Sequence, residues 1–369
     1  MEKSTKLPLL ELAFNDSDWD EFLFVVSDYT NTDHWFEPTT ETILVTAYSV
    51  IILLGILTNV VFITVIVKTK KVLKTRNLLF MNLAVSDLVM CGFCIPFTVV
   101  KLTRKSWSLG EALCRLIPML QAVDVFIFSF TIIAISCDRY SAIVHATENL
   151  KRVSSMMPAL IVIWISSFGL AVPIAIFSTV VKAEYLGNVV SYQICMEHWP
   201  SAMSRALYTL VSTLIQFAVP LAIMIPLHTK ICRFLKSRME YKSQSPVDAE
   251  RMAKKEARYR STMKLLTAVV LAFLLSWVPL SVVNIMADFN YMIFTHMNFN
   301  ALYVTCHMIA MASVFVNPLL YGWFNTNFQR QLRGILFSGS KELSEKDGLL
   351  NTSAFKGSSV NKIKSGITN

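Results

Sequence analysis

The sequence is short of charge. Only 16% of its 369 residues are Asp, Glu, Lys or Arg, while 54% are hydrophobic; soluble domains carry roughly a quarter charged residues. That deficit argues against an ordinary water-soluble enzyme and for a chain embedded in lipid. Before residue 42 there is no apolar core long enough for a cleaved leader, because LPLLELAF is brief and followed by acids. The first long apolar run is therefore expected to act as its own insertion signal. No internal repeat of the kind that builds inverted-repeat transporters is evident. Nor does a Ser-His or Asp-Asp constellation stand out in the context an intramembrane protease needs, so the expectation is a protein that is not an enzyme.

Seven stretches reach the roughly 20 apolar residues that a membrane span requires. They are centred on residues 42–68, 77–101, 111–136, 155–178, 206–231, 262–287 and 300–323. The expected fold is an all-α membrane protein, a seven-helix transmembrane bundle, with its two termini on opposite sides. Lys68, Lys70, Lys71, Lys74 and Arg76 follow the first stretch, Lys151 and Arg152 the third, and Lys254, Lys255, Arg258 and Arg260 precede the sixth. Such basic loops stay in the cytosol. Residues 1–41 instead carry Asp16, Asp18, Asp20, Glu21, Asp28, Asp33, Glu37 and Glu41 against Lys3 and Lys6, with the glycosylation sequon at Asn15, and are expected outside. The net charge of +9 thus records orientation in membrane lipid, and no nucleic-acid partner is expected.

After the bundle (42–323), Phe324, Phe328, Leu332, Ile335 and Leu336 recur at helical spacing among Gln329, Arg330 and Arg333. This predicts a short amphipathic helix over 324–337 lying on the membrane surface. No cysteine follows to carry a palmitoyl anchor. Residues 338–369 are polar and read as a disordered cytosolic tail, with serines and threonines able to accept phosphate. Of the seven cysteines, only Cys114 and Cys195 fall at the outer face. A Cys114–Cys195 disulfide is expected there, in the oxidising compartment. Cys91-Gly92-Phe93-Cys94 imitates a redox motif but sits inside an apolar span, which favours packing.

Hydrocarbon rejects polar groups, yet each span holds some: Asn59, Asp87, Asp124, Trp164, Pro220, Ser276-Trp277-Val278-Pro279 and Asn317-Pro318-Leu319-Leu320-Tyr321. Intramembrane ionisable residues mark function by default, although Asn59 or Trp164 alone also suits a static core. Pro220, Pro279 and Pro318 each remove a backbone donor and are expected to bend their helices. Hinges, a polar middle and a charged pair, Asp138-Arg139, at the cytosolic end of the third span together describe a candidate two-state switch.

The ordered set Asn59, Asp87, Cys114, Asp138-Arg139-Tyr140, Cys195, Trp277 with Pro279, and Asn317-Pro318 with Tyr321 resembles the rhodopsin-type G-protein-coupled receptors through all seven spans. The resemblance implies that Arg139 is held by Asp138 at rest and released to a heterotrimeric G protein. Arrestin and receptor kinases would be further partners, and the plasma membrane the location. LQAVDVF, YTLVSTLIQFAVPL, SWVPLSVVNIMADFN and CHMIAMASVFVNPLLYGWFNTNFQRQL resemble the neuropeptide Y and invertebrate neuropeptide F receptors. That narrower likeness implies a peptide pocket of Gln121, Gln216, Asn284, Asp288 and His307 with Thr98 nearby, a ligand ending in Arg and an amidated aromatic residue, and coupling to the inhibitory G-protein class.

Physical reasoning agrees in part. Gln121 stands 18 residues before Arg139, about 27 Å along a helix, so the two sit at opposite faces. A neutral amide gives no ionic anchor for an amine ligand, whereas Asp288 can pair with a cationic side chain; Glu184 and Glu197 add to the preference for a basic peptide. Asp288 could equally be a solvated loop acid, and His307 a packed histidine. Residues 299–323 contain no lysine for a retinal Schiff base. The chain departs from the family pattern at Ser276, where a cysteine is usual, and at Tyr259, where some relatives hold Arg139 with an acid. Phe128 replaces a serine that helps bind sodium beside Asp87. Asp124, one turn away, then either supplies the cation ligand, shares a proton with Asp87, or hydrogen-bonds a neighbouring helix. No cofactor is expected beyond a sodium ion near Asp87. A receptor of this fold for another peptide is the alternative reading. An ion channel or transporter is a further one, although it leaves the Asp138-Arg139-Tyr140 and Asn317-Pro318 motifs unexplained.

Overall fold

Lipid offers no hydrogen bonds, so a spanning backbone must satisfy its own, and the chain does so as helices. The structure, a computed structural model, describes residues 33–68, 75–144, 149–185, 190–240, 246–289, 299–324 and 328–335. Asn15, the acids from Asp16 to Asp28, Lys70, Lys71, Lys74 and the tail 338–369 lie outside these residues. So do the side chains of Arg76, Lys151, Arg152, Glu184, Lys254, Lys255, Arg258 and Tyr259.

Seven helices are long and apolar enough to cross a membrane. Helix α1 is Pro38–Lys68, with proline at its first position, where the missing N–H has no intrahelical role. Helix α2 runs Thr75–Val89, passes a π turn at Met90–Cys94 and continues as Ile95–Thr103. Helices α3 (Gly110–Val144) and α4 (Asn149–Phe177) follow. Helix α5 has the same interrupted form as α2: Ala202–Thr213, a π turn at Leu214–Ala218, then Val219–Glu240. Helix α6 is Pro246–Phe289, and α7 is Phe299–Met311 followed by Ser313–Phe324. A short helix, α8, covers 328–335. The spans fall where the sequence places them, and α5 and α6 extend past them toward their shared connection.

The proline expectation takes three forms. Pro220 follows the π turn of α5, and α7 is interrupted between Met311 and Ser313, ahead of Pro318. Helix α6 carries Pro279 without interruption. A proline at position i leaves the carbonyl at i−4 without its donor. For Pro318 that carbonyl is Val314, and Asn59 Nδ2 of α1 donates to it at 2.8 Å. For Pro220 it is Gln216, and Ser129 Oγ of α3 donates to it at 2.9 Å.

Other polar side chains tie helices together. Asn82 of α2 accepts from Trp164 Nε1 of α4 at 2.8 Å and donates to Thr131 Oγ1 of α3 at 2.9 Å. Trp164 therefore has a bonding role in the core. The core runs the length of the bundle, and Gly55 lets α1 approach closely: a Cβ there would collide with Cys91 Sγ and lie 2.9 Å from Val314.

Among the described residues, a two-stranded hairpin departs from the helices. Strands β1 (Ser178–Tyr185) and β2 (Val190–Glu197) pair antiparallel between α4 and α5. Cys195 of β2 is disulfide-bonded to Cys114 of α3, and Trp107 N–H donates to Gln193 O at 2.6 Å. The remaining cysteines among the described residues are free, with Cys91 and Cys94 buried as packing would have it. Gly110, at φ 80°, supplies the left-handed turn that starts α3.

At the opposite end, Phe328 of α8 stacks on Phe62 at 5.4 Å and meets Tyr321 edge-on at 5.6 Å. Leu332 and Ile335 pack on the same core.

Because Gly55 has no room for a side chain, Gly55→Val is expected to destabilise the bundle by about 1–3 kcal/mol through overpacking. Gly169→Ala, which meets nothing within 4 Å, is the matched control. Thermal unfolding of the purified protein in detergent compares them.

Candidate functional site

A cavity of about 450 Å³ opens beside the hairpin, between the ends of α2, α3, α5, α6 and α7. Thr98, Gln121, Gln216, Asn284, Asp288 and His307 all line it, so the folded chain gathers every residue of the expected pocket. Their surroundings differ. Gln121 Nε2 donates to Thr98 Oγ1 at 2.8 Å, while the Thr98 hydroxyl donates back along α2 to Cys94 O at 2.9 Å. This positions the Gln121 amide across the α2–α3 seam.

His307 is buried, at 3% exposure. Its Nδ1 lies 2.9 Å from Tyr48 Oη, a far better partner for the tyrosine proton than Val304 O at 3.4 Å. With Tyr48 donating to Nδ1, the neutral ring carries its own proton on Nε2. That nitrogen has no partner among the described residues. His307 is therefore packed, as one reading held, and also presents a polar edge at the cavity, as the other held.

Asp288 is not a solvated loop acid: its side chain is only 4% exposed. Arg205 Nε reaches its Oδ1 at 2.8 Å, and Thr209 Oγ1 donates to its Oδ2 at 2.6 Å. Arg205 and Thr209 were not singled out from the sequence, and neither was Lys101, which shares the cavity wall. The available signal was two polar residues four apart, Arg205 and Thr209, in the first turns of an otherwise apolar span.

Trp277 and Met311 also line the cavity. Trp277 Nε1 donates to Ser313 Oγ of α7 at 3.1 Å. Its ring adjoins Phe273, which stacks on Phe128 of α3 at 4.1 Å and meets Phe217 of α5 at 5.5 Å. The phenyl ring at 128 therefore serves packing between α3 and α6.

Further along the bundle axis, Asp87 and Asn317 line the same small space. Asp87 Oδ2 and Asn59 Oδ1 are buried and have no donor among the described residues. They line a small cavity of about 10 Å³ with Asn317 and Tyr321. Asp124 is engaged by Ser86 Oγ of α2, the neighbouring-helix bond among the three alternatives weighed for it.

At the far end, Arg139 is ion-paired with Asp138, whose side chain is 1% exposed. Tyr140 packs against a cluster of Ile143 from α3, Ile231 from α5 and Met263 from α6. Tyr321 donates to Asn77 Oδ1 at 3.3 Å.

Comparison with known proteins agrees with this arrangement. Residues 58–321 match the family described as 7 transmembrane receptor (rhodopsin family). The neuropeptide F receptor of Drosophila melanogaster is 32% identical over 301 residues, covering 79% of this chain and 62% of that receptor. The chain thus spans under two thirds of the length of that relative. Neuropeptide Y receptor type 2 of Macaca mulatta is 34% identical over 295 residues, covering 79% of this chain and 75% of the relative. Neuropeptide Y receptor type 6 of Mus musculus is 29% identical over 300 residues, covering 79% of each. With seven spans, a tethered hairpin and the Asp138-Arg139 pair in place, the chain belongs to the rhodopsin family of seven-transmembrane receptors and resembles, within it, the neuropeptide Y and F receptors.

Proposed function

We propose that the chain is a plasma-membrane receptor whose hairpin-side cavity binds the C-terminal end of an amidated neuropeptide, with Arg beside an aromatic residue, and which signals through a heterotrimeric G protein of the inhibitory class. The observation that carries this reading is the convergence of Thr98, Gln121, Gln216, Asn284, Asp288 and His307 on one cavity whose lining also includes Trp277. In this reading the hairpin end faces outward with the amino-terminal segment and its Asn15 sequon. Residues 338–369 face the cytosol, within reach of receptor kinases and arrestin.

The chemistry suits such a ligand. An amide terminus offers both a donor and an acceptor, and the cavity answers with the Gln121, Gln216 and Asn284 amides and the His307 Nε2–H. Asp288 supplies the counter-charge for a guanidinium. A ligand pressing on Trp277 bears on Phe273 and through it on Phe128 and Phe217. Beyond them, Met263 of α6 packs with Ile143 of α3 and Ile231 of α5. Separating that cluster uncovers Arg139, which leaves Asp138 for the G protein. The pair is thus affordable in lipid because each charge neutralises the other until the helices part.

The small cavity between α1, α2 and α7 fits a monovalent cation or a water. Its two orphaned acceptor oxygens, Asp87 Oδ2 and Asn59 Oδ1, face a volume of about one probe sphere. Asp87 and Asn59 would hold a sodium ion there, while Asp124, already bonded to Ser86, stands aside.

Two measurements follow. Peptides ending in Arg-Phe-amide or Arg-Tyr-amide, added to reconstituted receptor and inhibitory-class G protein, are expected to accelerate nucleotide exchange. Arg139→Gln is expected to reduce that acceleration by more than tenfold while peptide binding persists; full exchange in delivered Arg139→Gln receptor would dismiss the mechanism. In a sodium titration of agonist affinity, Asp87→Asn is expected to abolish the sodium effect and Asp124→Asn to retain it. Loss of the effect in Asp124→Asn alone would instead make Asp124 the cation ligand.

A further inference from the structure

The Arg205–Asp288 pair brings a cation of the receptor itself to the place where a ligand cation would go. Both oxygens of Asp288 already have donors, Arg205 Nε on Oδ1 and Thr209 Oγ1 on Oδ2. A guanidinium recognises a carboxylate best as a fork spanning both oxygens, and that face is occupied. The two partners are unequally held: the Asp288 side chain is 4% exposed, that of Arg205 44%. Arg205 stands one turn inside α5, which a reciprocal cap between Ser201 and Ser204 anchors. Its backbone is therefore fixed while its side chain can leave. The cavity it would leave into also holds Glu197, a second carboxylate for the displaced group.

We propose that Arg205 is an affinity-setting residue that covers Asp288 in the free receptor, so that a cationic peptide must displace it to bind. The proposal rests on the reading of Asp288 as the ligand's cation partner. Affinity for such a peptide is the intrinsic affinity multiplied by the fraction of receptors with Asp288 uncovered. That fraction belongs to the receptor, so an Arg and a Lys peptide are weakened by the same factor, the Lys peptide from a weaker start because it forms no fork. An uncharged ligand makes no use of Asp288 and is left unchanged. Arg205 thus narrows the gap between cationic and uncharged peptides.

The test is competition binding on full-length receptor in membranes. It uses three amidated peptides identical except for the residue before the C-terminal Phe: Arg, Lys or the uncharged citrulline. Relative to the parent, Arg205→Gln is expected to tighten the Arg and Lys peptides by a similar factor of about three- to fivefold, the upper part of the range for losing a partly exposed competing ion pair. The citrulline peptide is expected to change less than about twofold on the same reasoning. Arg205→Lys, which keeps the charge and lacks the fork, is expected to fall between and covers poor delivery of Arg205→Gln. If Arg205→Gln weakens all three peptides, Arg205 contacts the ligand or braces α5, and the proposal fails. Asp288→Asn separates the two layers of argument. If it removes the preference for Arg over citrulline but Arg205→Gln does not widen that preference, the proposal alone fails. If Asp288→Asn leaves the preference intact, or no peptide binds any variant, the reading of Asp288 falls and the proposal with it.

Discussion

The bundle depends on backbone carbonyls that proline leaves without donors in a medium that supplies none. An unsatisfied buried acceptor costs about 1–3 kcal/mol, and at two prolines, Pro318 and Pro220, a neighbouring helix responds. Asn59 answers at Val314 and Ser129 at Gln216. Both donors come from a different helix, so the repair of one helix becomes the attachment of another. This gives the polar residues of α1 and α3 a reason to exist before any signalling is considered. It also gives the kinked helices a property that straight ones lack, since a carbonyl served by a side chain can exchange its donor without unwinding a turn.

Function is laid over that framework at two ends joined by aromatic rings. The cavity and the Asp138-Arg139 pair share α3, and Trp277, Phe273 and Phe128 form a continuous packed path from the first toward the second. Packed rings shift in discrete steps. Arg139 and Asp138 neutralise each other in a site that water scarcely reaches, and three apolar side chains from α3, α5 and α6 close the bundle beside them.

Much of this was legible in the sequence because lipid imposes simple rules. The seven spans follow from hydropathy, and the helices fall where the sequence places them, with α3, α5 and α6 running further. The pocket residues were legible only through resemblance, since nothing in Gln121 or Asn284 alone announces a ligand. What stayed hidden depends on pairing at long range. Arg205 meeting Asp288, or Tyr48 meeting His307, joins residues whose separation in the chain encodes no distance. The π turns beside Pro96 and Pro220 are responses of a helix to its neighbours, and no residue type signals them. The hairpin had a signal, two β-rich runs STVVKAEY and VSYQICME around Gly187-Asn188, which span-finding by hydropathy passes over.

The short terminal helix shows what such neighbourly packing entails. Phe328 packs on both Phe62 and Tyr321, which also meet each other edge-on at 4.9 Å, so the ring closing the last span also props the segment beyond it. Any rotation that turns Tyr321 inward must first unstack this trio. The membrane-lying segment thus behaves as a leaf spring on the seventh helix, and force applied to the downstream polypeptide is felt at the hinge above it.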